Sequence, residues 1–326
     1  MVAESHIIAA DAAGIAAAVE VLRAGGLVAV PTETVYGLAA RADQPLAVAA
    51  IYAAKGRPSF NPLIVHVADA AQAETLAQFS PLARVLAARF WPGPLTLVLP
   101  RRAGAAVATL VTAGLETLAL RCPAHGVMQA LIAAVGPLAA PSANASGRIS
   151  PTRAHHVAGS LPGVMVLDAG PCAAGVESTI VAVEGNGWRL LRAGAVAVED
   201  IVSVAGQPLS PGRLRRLSPS PDQKAFGGEG IVAPGMMASH YAPRQPVRLE
   251  ALTADANEYH IGFGPVAGDA NLSATGDLME AAARLFDLLH VAEASGRADI
   301  AVAPVPHRGL GLAINDRLAR AAAPRR

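Results

Sequence analysis

Short apolar runs alternate with amphipathic stretches over about the first 200 residues, and this alternation predicts an α/β fold. Apolar runs bounded by glycine, proline or polar residues are typical of strands, and they occur at 27–30, 63–67, 95–99, 117–121, 138–140, 164–167, 178–183 and 188–192. Helical patterns occur at 11–23, 43–54, 70–78 and 82–90, and the first two begin at an aspartate that can cap a helix. The predicted strands outnumber the helices too strongly for a simple doubly wound sheet.

The pattern changes between residues 208 and 246, which are rich in proline, glycine and serine and have no sustained periodicity. Such a stretch is either a long linker or an ordered functional loop. Beyond it, strand patterns at 247–250, 259–263 and 300–303 alternate with helical patterns at 278–292 and 312–322. We therefore predict a domain at 1–207, a linker or lid at 208–246 and a small C-terminal α/β domain at 247–326.

Composition narrows the class of protein. The chain has 326 residues, of which 52% are hydrophobic and 16% charged, so it can bury a sizeable core and is not intrinsically disordered. The net charge of +1 creates no overall field toward nucleic acid or membrane. The longest uncharged stretch, 126–147, is broken by prolines, and the N-terminus has no basic region typical of a signal peptide. We expect a cytoplasmic protein with no membrane partner.

Several common sites are excluded by the motifs. Neither of the two lysines follows a glycine, which excludes a P-loop, and no Gly-x-Ser-x-Gly nucleophile motif occurs. Two unpaired cysteines, Cys122 and Cys172, cannot form a zinc site. His155 and His156 have no carboxylate or cysteine at metal-ligand spacing, so we interpret them as a solvated helix start. We expect no protein-bound metal.

Polar clusters follow the predicted strands. Residues 31–37 (PTETVYG) bring two threonines and a tyrosine hydroxyl to the end of strand 27–30, where open α/β sheets bind ligands. The alternative is a Ser/Thr turn beside a packed tyrosine. In the second cluster, Lys55 and Arg57 bracket a glycine, and two crowded cations favour a polyphosphate or carboxylate ligand. A solvated basic loop remains the alternative there.

Further clusters follow the later strands. Arg121 ends strand 117–121 and has the fork geometry to bind a carboxylate. The hydroxyl-rich segment 141–152 offers donors of the kind that bind phosphates. Residues 177–179 (EST) open one strand, and Arg192 closes the next. Polar clusters at so many strand ends predict one common site.

Together these segments resemble the threonylcarbamoyl-AMP synthase (YrdC-like) family. The matching segments are PTETVYG at 31–37, KGRP at 55–58, NPLIVH at 61–66, WPGPLT at 91–96, PSANASG at 141–147 and ESTI at 177–180. Their order and spacing match over about residues 10–200, and SHYAP at 239–243 resembles the linker of the longer, two-domain form.

The resemblance implies a twisted mixed-sheet α/β catalytic domain with a large electropositive cavity, and a smaller Rossmann-like α/β domain. It also implies a nucleotidyltransferase reaction in which L-threonine, bicarbonate or CO₂, and ATP give threonylcarbamoyl-AMP and pyrophosphate. Mg²⁺ would accompany ATP. The downstream partner would be a tRNA threonylcarbamoyl-transferase complex, and a weak contact with tRNA is part of the same expectation.

The resemblance also assigns roles to residues. Lys55 and Arg57 would be catalytic, since charge builds on the phosphates during the reaction. The expected threonine-binding residues are Thr34, His66, Arg121, Ser142 and Ser178. The expected ATP-binding residues are Lys55, Arg57, Asn61, Thr117, Asn144, Ser150, Arg192 and Tyr241.

Two rival functions remain open at this stage. An RNA-binding module of the same fold would use the basic cavity without ATP chemistry, although near-zero net charge and few aromatic residues count against it. A carbamoyl-transfer or maturation enzyme that shares the domain would usually carry zinc-type cysteine clusters, and this chain has only two cysteines.

Overall fold

A computed structural model describes residues 6–209 and 240–324. Its first sheet has the strand order β1-β8-β2-β3-β7-β4-β6-β5-β9-β10 and contains parallel and antiparallel neighbours. The strands are β1 (Ile7–Ala9), β2 (Val28–Val30), β3 (Gly37–Arg41), β4 (Ile64–His66), β5 (Leu95–Pro100), β6 (Thr117–Arg121), β7 (Leu138–Ala139), β8 (Met165–Asp168), β9 (Thr179–Glu184) and β10 (Gly187–Arg192).

The helices between these strands begin where their sequences allow. The side chains of Asp11, Asp69 and Ser80 accept hydrogen bonds from backbone N–H groups of the first turn, as N-caps do. The helices are α1 (Ala12–Arg23), α2 (Pro45–Lys55), α3 (Ala70–Leu76), α4 (Pro81–Phe90), α5 (Thr109–Thr112), α6 (Gly126–Val135), α7 (Ala154–Ser160) and α8 (Val198–Ala205). With the ten-stranded sheet, they form what we call the N-terminal unit.

The two faces of this sheet are covered differently. Side chains alternate between the faces along each strand, so Val65 and Leu120 pack in the main core with helices α2–α5, α7 and α8. On the other face, α1 and α6 cover only the half that contains β2 and β7. Across the other half of that face, a small cluster that includes Ile64 and Ala119 forms the floor of a concave space.

The second sheet belongs to the C-terminal unit. Its strands, in the order β11-β14-β12-β13, are all parallel: β11 (Val247–Arg248), β12 (Glu258–Gly262), β13 (Ala270–Asn271) and β14 (Asp299–Val302). Two helices complete the unit, α9 (Leu278–Ala294) and α10 (Gly311–Ala322). Together the mixed sheet and the second, parallel sheet confirm the predicted α/β class.

The two units meet in one hydrophobic cluster, which is separate from the main core of the N-terminal unit. Val35, Ile149 and Val176 of the N-terminal unit pack in the cluster formed by α9, α10 and the second sheet. Gly175, at φ +68°, lies so close to α9 that a Cβ there would be 2.3 Å from the carbonyl oxygen of Ala282. A glycine is therefore required where the units meet.

The structure contains several elements that the sequence patterns did not predict. Strand β3 was not predicted, because it follows the polar cluster directly and its sequence is GLAAR. Helices α6 and α8 were also not predicted. In the described residues, no helix has the length and apolar character needed to span a membrane.

The interpretation of His155 and His156 as a solvated helix start was wrong in part. Helix α7 does begin there, and His155 is exposed, but His156 is buried. Its ring stacks on His290 of α9 at a centroid distance of 3.8 Å. The packing of α9 against α7 removes His156 from solvent, and a local sequence pattern does not carry that tertiary contact.

Candidate active site

A cavity lies over the concave face of the first sheet. Its lining combines polar groups at strand ends with the segment that leads into the C-terminal unit. The lining residues are Thr34, Val35, Arg57, Ile64, His66, Arg121, Ala140, Pro141, Ser142, Glu177, Ser178, Arg192, His240 and Tyr241.

Arg121 is held at this cavity by three contacts. Strands β4 and β6 run parallel with Arg121 in register with His66, so both side chains come to the same end of the sheet. Nη1 of Arg121 donates to the Thr34 hydroxyl at 2.9 Å, and Nε donates to the carbonyl of Gly93 at 3.2 Å. Nη2 lies 2.7 Å from Oε1 of Glu33, which makes a buried ion pair. The guanidinium is therefore oriented before any ligand binds.

The protonation of the neighbouring groups follows from burial and from Arg121. Burial raises the pKa of Glu33, but the charge of Arg121 and its hydrogen bond outweigh this, so the pKa is lowered and Glu33 is ionised. Burial and the nearby Arg121 lower the pKa of His66 to about 3, so its imidazole is neutral. Among the described residues, Nδ1 of His66 has no hydrogen-bond partner, which leaves it available to a ligand.

Serine hydroxyls complete this half of the cavity. The Ser178 hydroxyl is 2.7 Å from that of Thr96, and Arg192 donates to the Ser178 carbonyl at 2.8 Å. Ser142 lies at the rim formed after β7. The structure thus brings all five residues predicted to bind threonine into one cavity: Thr34, His66, Arg121, Ser142 and Ser178.

Lys55 and Arg57 are buried beside the same cavity. Helix α2 ends at Lys55 because Gly56 adopts a left-handed conformation with φ 57°. Nζ of Lys55 donates to the carbonyls of Ser142, at 2.6 Å, and Asn144. Arg57 donates to the carbonyls of Asn61, at 3.2 Å, and Pro62, at 3.0 Å. With exposures of 3% and 8%, these residues do not form a solvated basic loop.

Burial makes this pair of cations unfavourable in the absence of an anion. It lowers the pKa of Arg57 to about 10, and together with the charge of Arg57 it lowers the pKa of Lys55 well below its usual value. The groups that satisfy their hydrogen bonds are neutral carbonyls, which do not cancel the charge. A phosphate or carboxylate would supply the missing negative charge.

The other residues predicted to bind ATP are placed unevenly. Tyr241 and Arg192 line the cavity. Asn61 and Asn144 are buried next to Arg57 and Lys55, and each has a side-chain carbonyl without a partner among the described residues. Ser150 donates from its hydroxyl to Glu177 at 2.5 Å.

Thr117 is not brought to the cavity. It lies at the far end of β6 from Arg121, paired with Pro100 of β5, and is absent from the cavity lining. Its assignment to ATP stays a prediction. The structure also shows that the Tyr36 hydroxyl, which the sequence placed at the ligand site, donates instead to the carbonyl of Gly170 at 2.8 Å.

Four residues at or behind the cavity were given no role from the sequence: Glu33, Glu177, His240 and Arg317. The first three lie inside the polar motifs, and their place there was the available signal. Arg317 belongs to α10 of the C-terminal unit, and Nε lies 2.8 Å from Oε2 of Glu177. Nothing in the helical pattern around Arg317 indicated this contact.

Charge defines what the cavity can bind. Three arginines, Arg57, Arg121 and Arg192, line it together with one carboxylate, that of Glu177. Because the guanidiniums are buried, their attraction for an anion is weakly screened. The fold and the site define an α/β protein with an electropositive ligand cavity on the N-terminal unit, closed on one side by His240 and Tyr241 of the segment that leads into the C-terminal unit.

Comparison with known proteins identifies the family. A family model described as "Telomere recombination" (Sua5, YciO and YrdC) matches residues 20–194, and "Threonylcarbamoyl-AMP synthase, C-terminal domain" matches residues 196–323. The threonylcarbamoyl-AMP synthase of Bacillus subtilis is 42% identical over 94% of this chain and 92% of its own. That of Pyrococcus abyssi is 41% identical over 92% of this chain and 91% of its own.

A solved structure agrees with these matches. The crystal structure of P. abyssi Sua5 complexed with L-threonine has a TM-score of 0.82 and 36% identity, covering 99% of this chain and 98% of that one. The protein therefore belongs to the threonylcarbamoyl-AMP synthase family, in its longer two-domain form.

Proposed function

We propose that the protein is an L-threonylcarbamoyladenylate synthase. It combines L-threonine, bicarbonate or CO₂, and ATP into threonylcarbamoyl-AMP and releases pyrophosphate. The observation that carries this proposal is that one cavity holds an oriented guanidinium, Arg121, and borders two buried cations, Lys55 and Arg57. The carboxylate of an amino acid needs the oriented guanidinium, and a polyphosphate needs the buried cations.

Arg121 and its neighbours hold the amino acid. The substrate carboxylate binds the guanidinium that Glu33 and Thr34 already orient. The neutral imidazole of His66 accepts a hydrogen bond from the substrate at its unpartnered nitrogen. Orientation before binding reduces the entropic cost of bringing the reacting groups together.

The reaction then needs stabilisation of negative charge. The amine of threonine captures CO₂ as a carbamate and gives up a proton. A carbamate oxygen attacks the α-phosphorus of ATP, the bond to the bridging oxygen breaks, and pyrophosphate leaves with that electron pair. Lys55 and Arg57 bind the phosphates and stabilise the charge that develops on them. Because anion binding raises the depressed pKa of Lys55, the lysine is kept charged when the nucleotide is present.

Mg²⁺ enters this proposal as part of the substrate, MgATP. Within residues 6–209 and 240–324, no group of three or more His, Cys, Asp or Glu side chains is arranged to hold a metal ion. The two carboxylates at the cavity, Glu33 and Glu177, already pair with Arg121 and Arg317. The residues present thus favour a metal held by the phosphates.

The product has a defined fate in the proposal. Threonylcarbamoyl-AMP is a reactive mixed anhydride, so it passes to a tRNA threonylcarbamoyl-transferase complex, and a weak contact with tRNA accompanies the transfer. Both ATP and tRNA are cytoplasmic molecules, which supports a cytoplasmic location. The RNA-binding alternative is disfavoured because Arg57, Arg121 and Arg192 are buried, and a nucleic-acid backbone requires exposed cations.

The test is pyrophosphate release with purified protein, measured with each substrate omitted in turn. Release should require ATP, threonine and bicarbonate together. Release that is independent of threonine or of bicarbonate would contradict the proposal, and salt-sensitive RNA binding without any release would favour the rival function.

A further inference from the structure

Arg317 is a fully buried arginine that joins the two units. It belongs to α10 and has 0% exposure. Its guanidinium makes two hydrogen bonds to residues outside α10, and both of these residues belong to the N-terminal unit. Nε lies 2.8 Å from Oε2 of Glu177, and Nη2 donates to the carbonyl of Ala193 at 2.9 Å. The remaining nitrogen, Nη1, lies 2.5 Å from Oδ2 of Asp316 on the same helix.

Glu177 transmits this contact to the cavity. Its second carboxylate oxygen accepts the hydrogen bond from the Ser150 hydroxyl at 2.5 Å, and Ser150 is predicted to bind ATP. Glu177 itself lines the cavity. Burial raises the pKa of Glu177, but Arg317 and Arg192 outweigh that effect and keep the pKa low, so the carboxylate is ionised. Without Arg317, the buried Glu177 carboxylate would lose the cation that is paired with it.

Tyr241 is the second group that Arg317 supports. The guanidinium carbon lies 5.1 Å from the centre of the Tyr241 ring, a cation–π distance, and Phe286 packs against the same ring at 5.6 Å. Tyr241 has φ 63°, which is uncommon for a residue with a side chain. Its hydroxyl is buried at the cavity without a partner among the described residues. A strained residue with an unsatisfied hydroxyl needs support from its surroundings.

We propose that Arg317 is a positioning residue through which the C-terminal unit builds the nucleotide side of the active site. It does not line the cavity, but it fixes Glu177, and through it Ser150, as well as the ring of Tyr241. The C-terminal unit then supports the catalytic site from behind, since its removal would leave Glu177 and Tyr241 unsupported. This inference rests on the proposed function for its choice of ligand, ATP.

The structure offers a matched control for a purely structural role. Arg153 and Asp287 also form an ion pair between the units, with contacts of 2.7 and 3.2 Å, but neither residue lines the active-site cavity. If Arg317 only docks the two units, its loss should lower stability more than loss of the more exposed Arg153 pair, but neither loss should change ATP binding selectively. If Arg317 positions the nucleotide site, only its own pair should change ATP binding.

The experiment uses the full-length chain with Arg317→Met, Arg317→Lys and Arg153→Met. Calorimetry measures the Kd of a non-hydrolysable ATP analogue and, separately, the Kd of L-threonine, and circular dichroism checks the fold. We expect Arg317→Met to raise the Kd of the analogue about tenfold or more. The Kd of threonine should change less than about threefold, Arg317→Lys should recover part of the loss, and Arg153→Met should stay within about twofold for both ligands.

A double variant keeps the test decisive if Arg317→Met fails to fold. Arg317→Met combined with Glu177→Gln removes both charges, so the double variant should fold better than Arg317→Met alone. If Arg317→Met also folds, the double variant should bind the analogue more tightly than Arg317→Met does. An unchanged analogue Kd in the folded Arg317 variants, equal losses for both ligands, or an equal effect of Arg153→Met would overturn the inference. If Arg317→Met raises the Kd of the analogue as expected but the wild type forms no threonylcarbamoyl-AMP, the proposed function fails and the positioning role stands.

Discussion

Two buried arginine–glutamate pairs border the cavity, and they are arranged in opposite ways. In the pair Arg121–Glu33, the arginine lines the cavity and the glutamate stands behind it, within one unit. In the pair Arg317–Glu177, the glutamate lines the cavity and the arginine stands behind it, in the other unit. The nitrogen–oxygen distances, 2.7 and 2.8 Å, are nearly the same. On this difference in orientation we base the proposal that the first pair serves recognition and the second serves support.

The energetics follow the same division. Removing one partner of a buried ion pair leaves an uncompensated charge and costs about 3–5 kcal/mol. Arg121 lines the cavity, so its guanidinium can bind a substrate carboxylate while Glu33 holds it from behind. Arg317 does not line the cavity, so its positive charge stabilises the carboxylate of Glu177 and does not meet a ligand. Substitutions at Arg121, Glu33 and Arg317 separate these roles, and Lys55 is a further cation that belongs to neither pair.

Lys55→Ala should have the largest effect. Lys55 is bonded to the carbonyls of Ser142 and Asn144 and borders the proposed phosphate site. Its loss should lower turnover on the order of 10²-fold or more, because charge on the phosphates loses a fixed cation. Pyrophosphate release under saturating substrates measures this, with Arg84→Ala, an exposed arginine of α4, as the control. Wild-type turnover in folded Lys55→Ala would refute the phosphate assignment.

Arg121→Met should follow in size and should be selective. Loss of one partner of a buried charge pair costs about 2–5 kcal/mol, so the Kd of threonine should rise on the order of 30-fold or more. The Kd of the ATP analogue should change much less, the reverse of the pattern expected for Arg317→Met. Titration of each ligand alone measures both values.

Glu33→Gln is the control for that prediction. It keeps the Arg121 guanidinium and its bonds to Thr34 and Gly93 while it removes the charge behind it. Threonine binding should therefore change less than in Arg121→Met. Equal weakening of threonine and ATP in Arg121→Met would contradict the recognition role.

The sequence assigned a role to Arg121 of the first pair and to neither member of the second, for a physical reason. Arg121 ends a strand and Thr34 follows one, so the sheet topology brings them to one place once the strands are recognised. Arg317 lies on an amphipathic helix, where a buried arginine looks like any polar residue until its tertiary partner is known. The contact depends on how α10 packs, about 140 residues away in sequence from Glu177.

Tertiary packing also explains where the structure departs from the pattern. Thr117, which the family resemblance assigned to ATP, lies at the other end of five-residue β6 from Arg121, roughly 13 Å away. His156 was expected to be solvated because the sequence around it does not show that α9, which lies far along the chain, packs on it. The linker prediction for 208–246 falls largely outside the described residues, which include only 208–209 and 240–246 of it.

The smallest predicted effect is a loss of stability in acid. Burial is the main reason that the pKa values of His66, beside Arg121, and His240, against Tyr241, are both lowered to about 3. An unfolded histidine has a pKa of about 6.5, so the unfolded chain binds more protons between these values. Stability is complete above about pH 6.5 and is lost as the pH falls toward 3.

Each such histidine should contribute about 1.4 kcal/mol to the stability difference between about pH 7.5 and pH 5.5. Urea unfolding of the wild type and of His66→Asn at both pH values measures it. The variant should show a pH difference smaller by about that amount. An identical pH difference in both proteins would mean that His66 is protonated in the folded state.

The most direct test of the central claim, that one cavity joins an amino acid to a nucleotide, is the product itself. Purified protein is incubated with L-threonine, MgATP and ¹³C-bicarbonate, and the small molecules are analysed immediately by mass spectrometry. We expect threonylcarbamoyl-AMP that carries the heavy carbon, and its loss in Lys55→Ala and Arg121→Met. Hydrolysis of ATP without any labelled adduct would contradict the account.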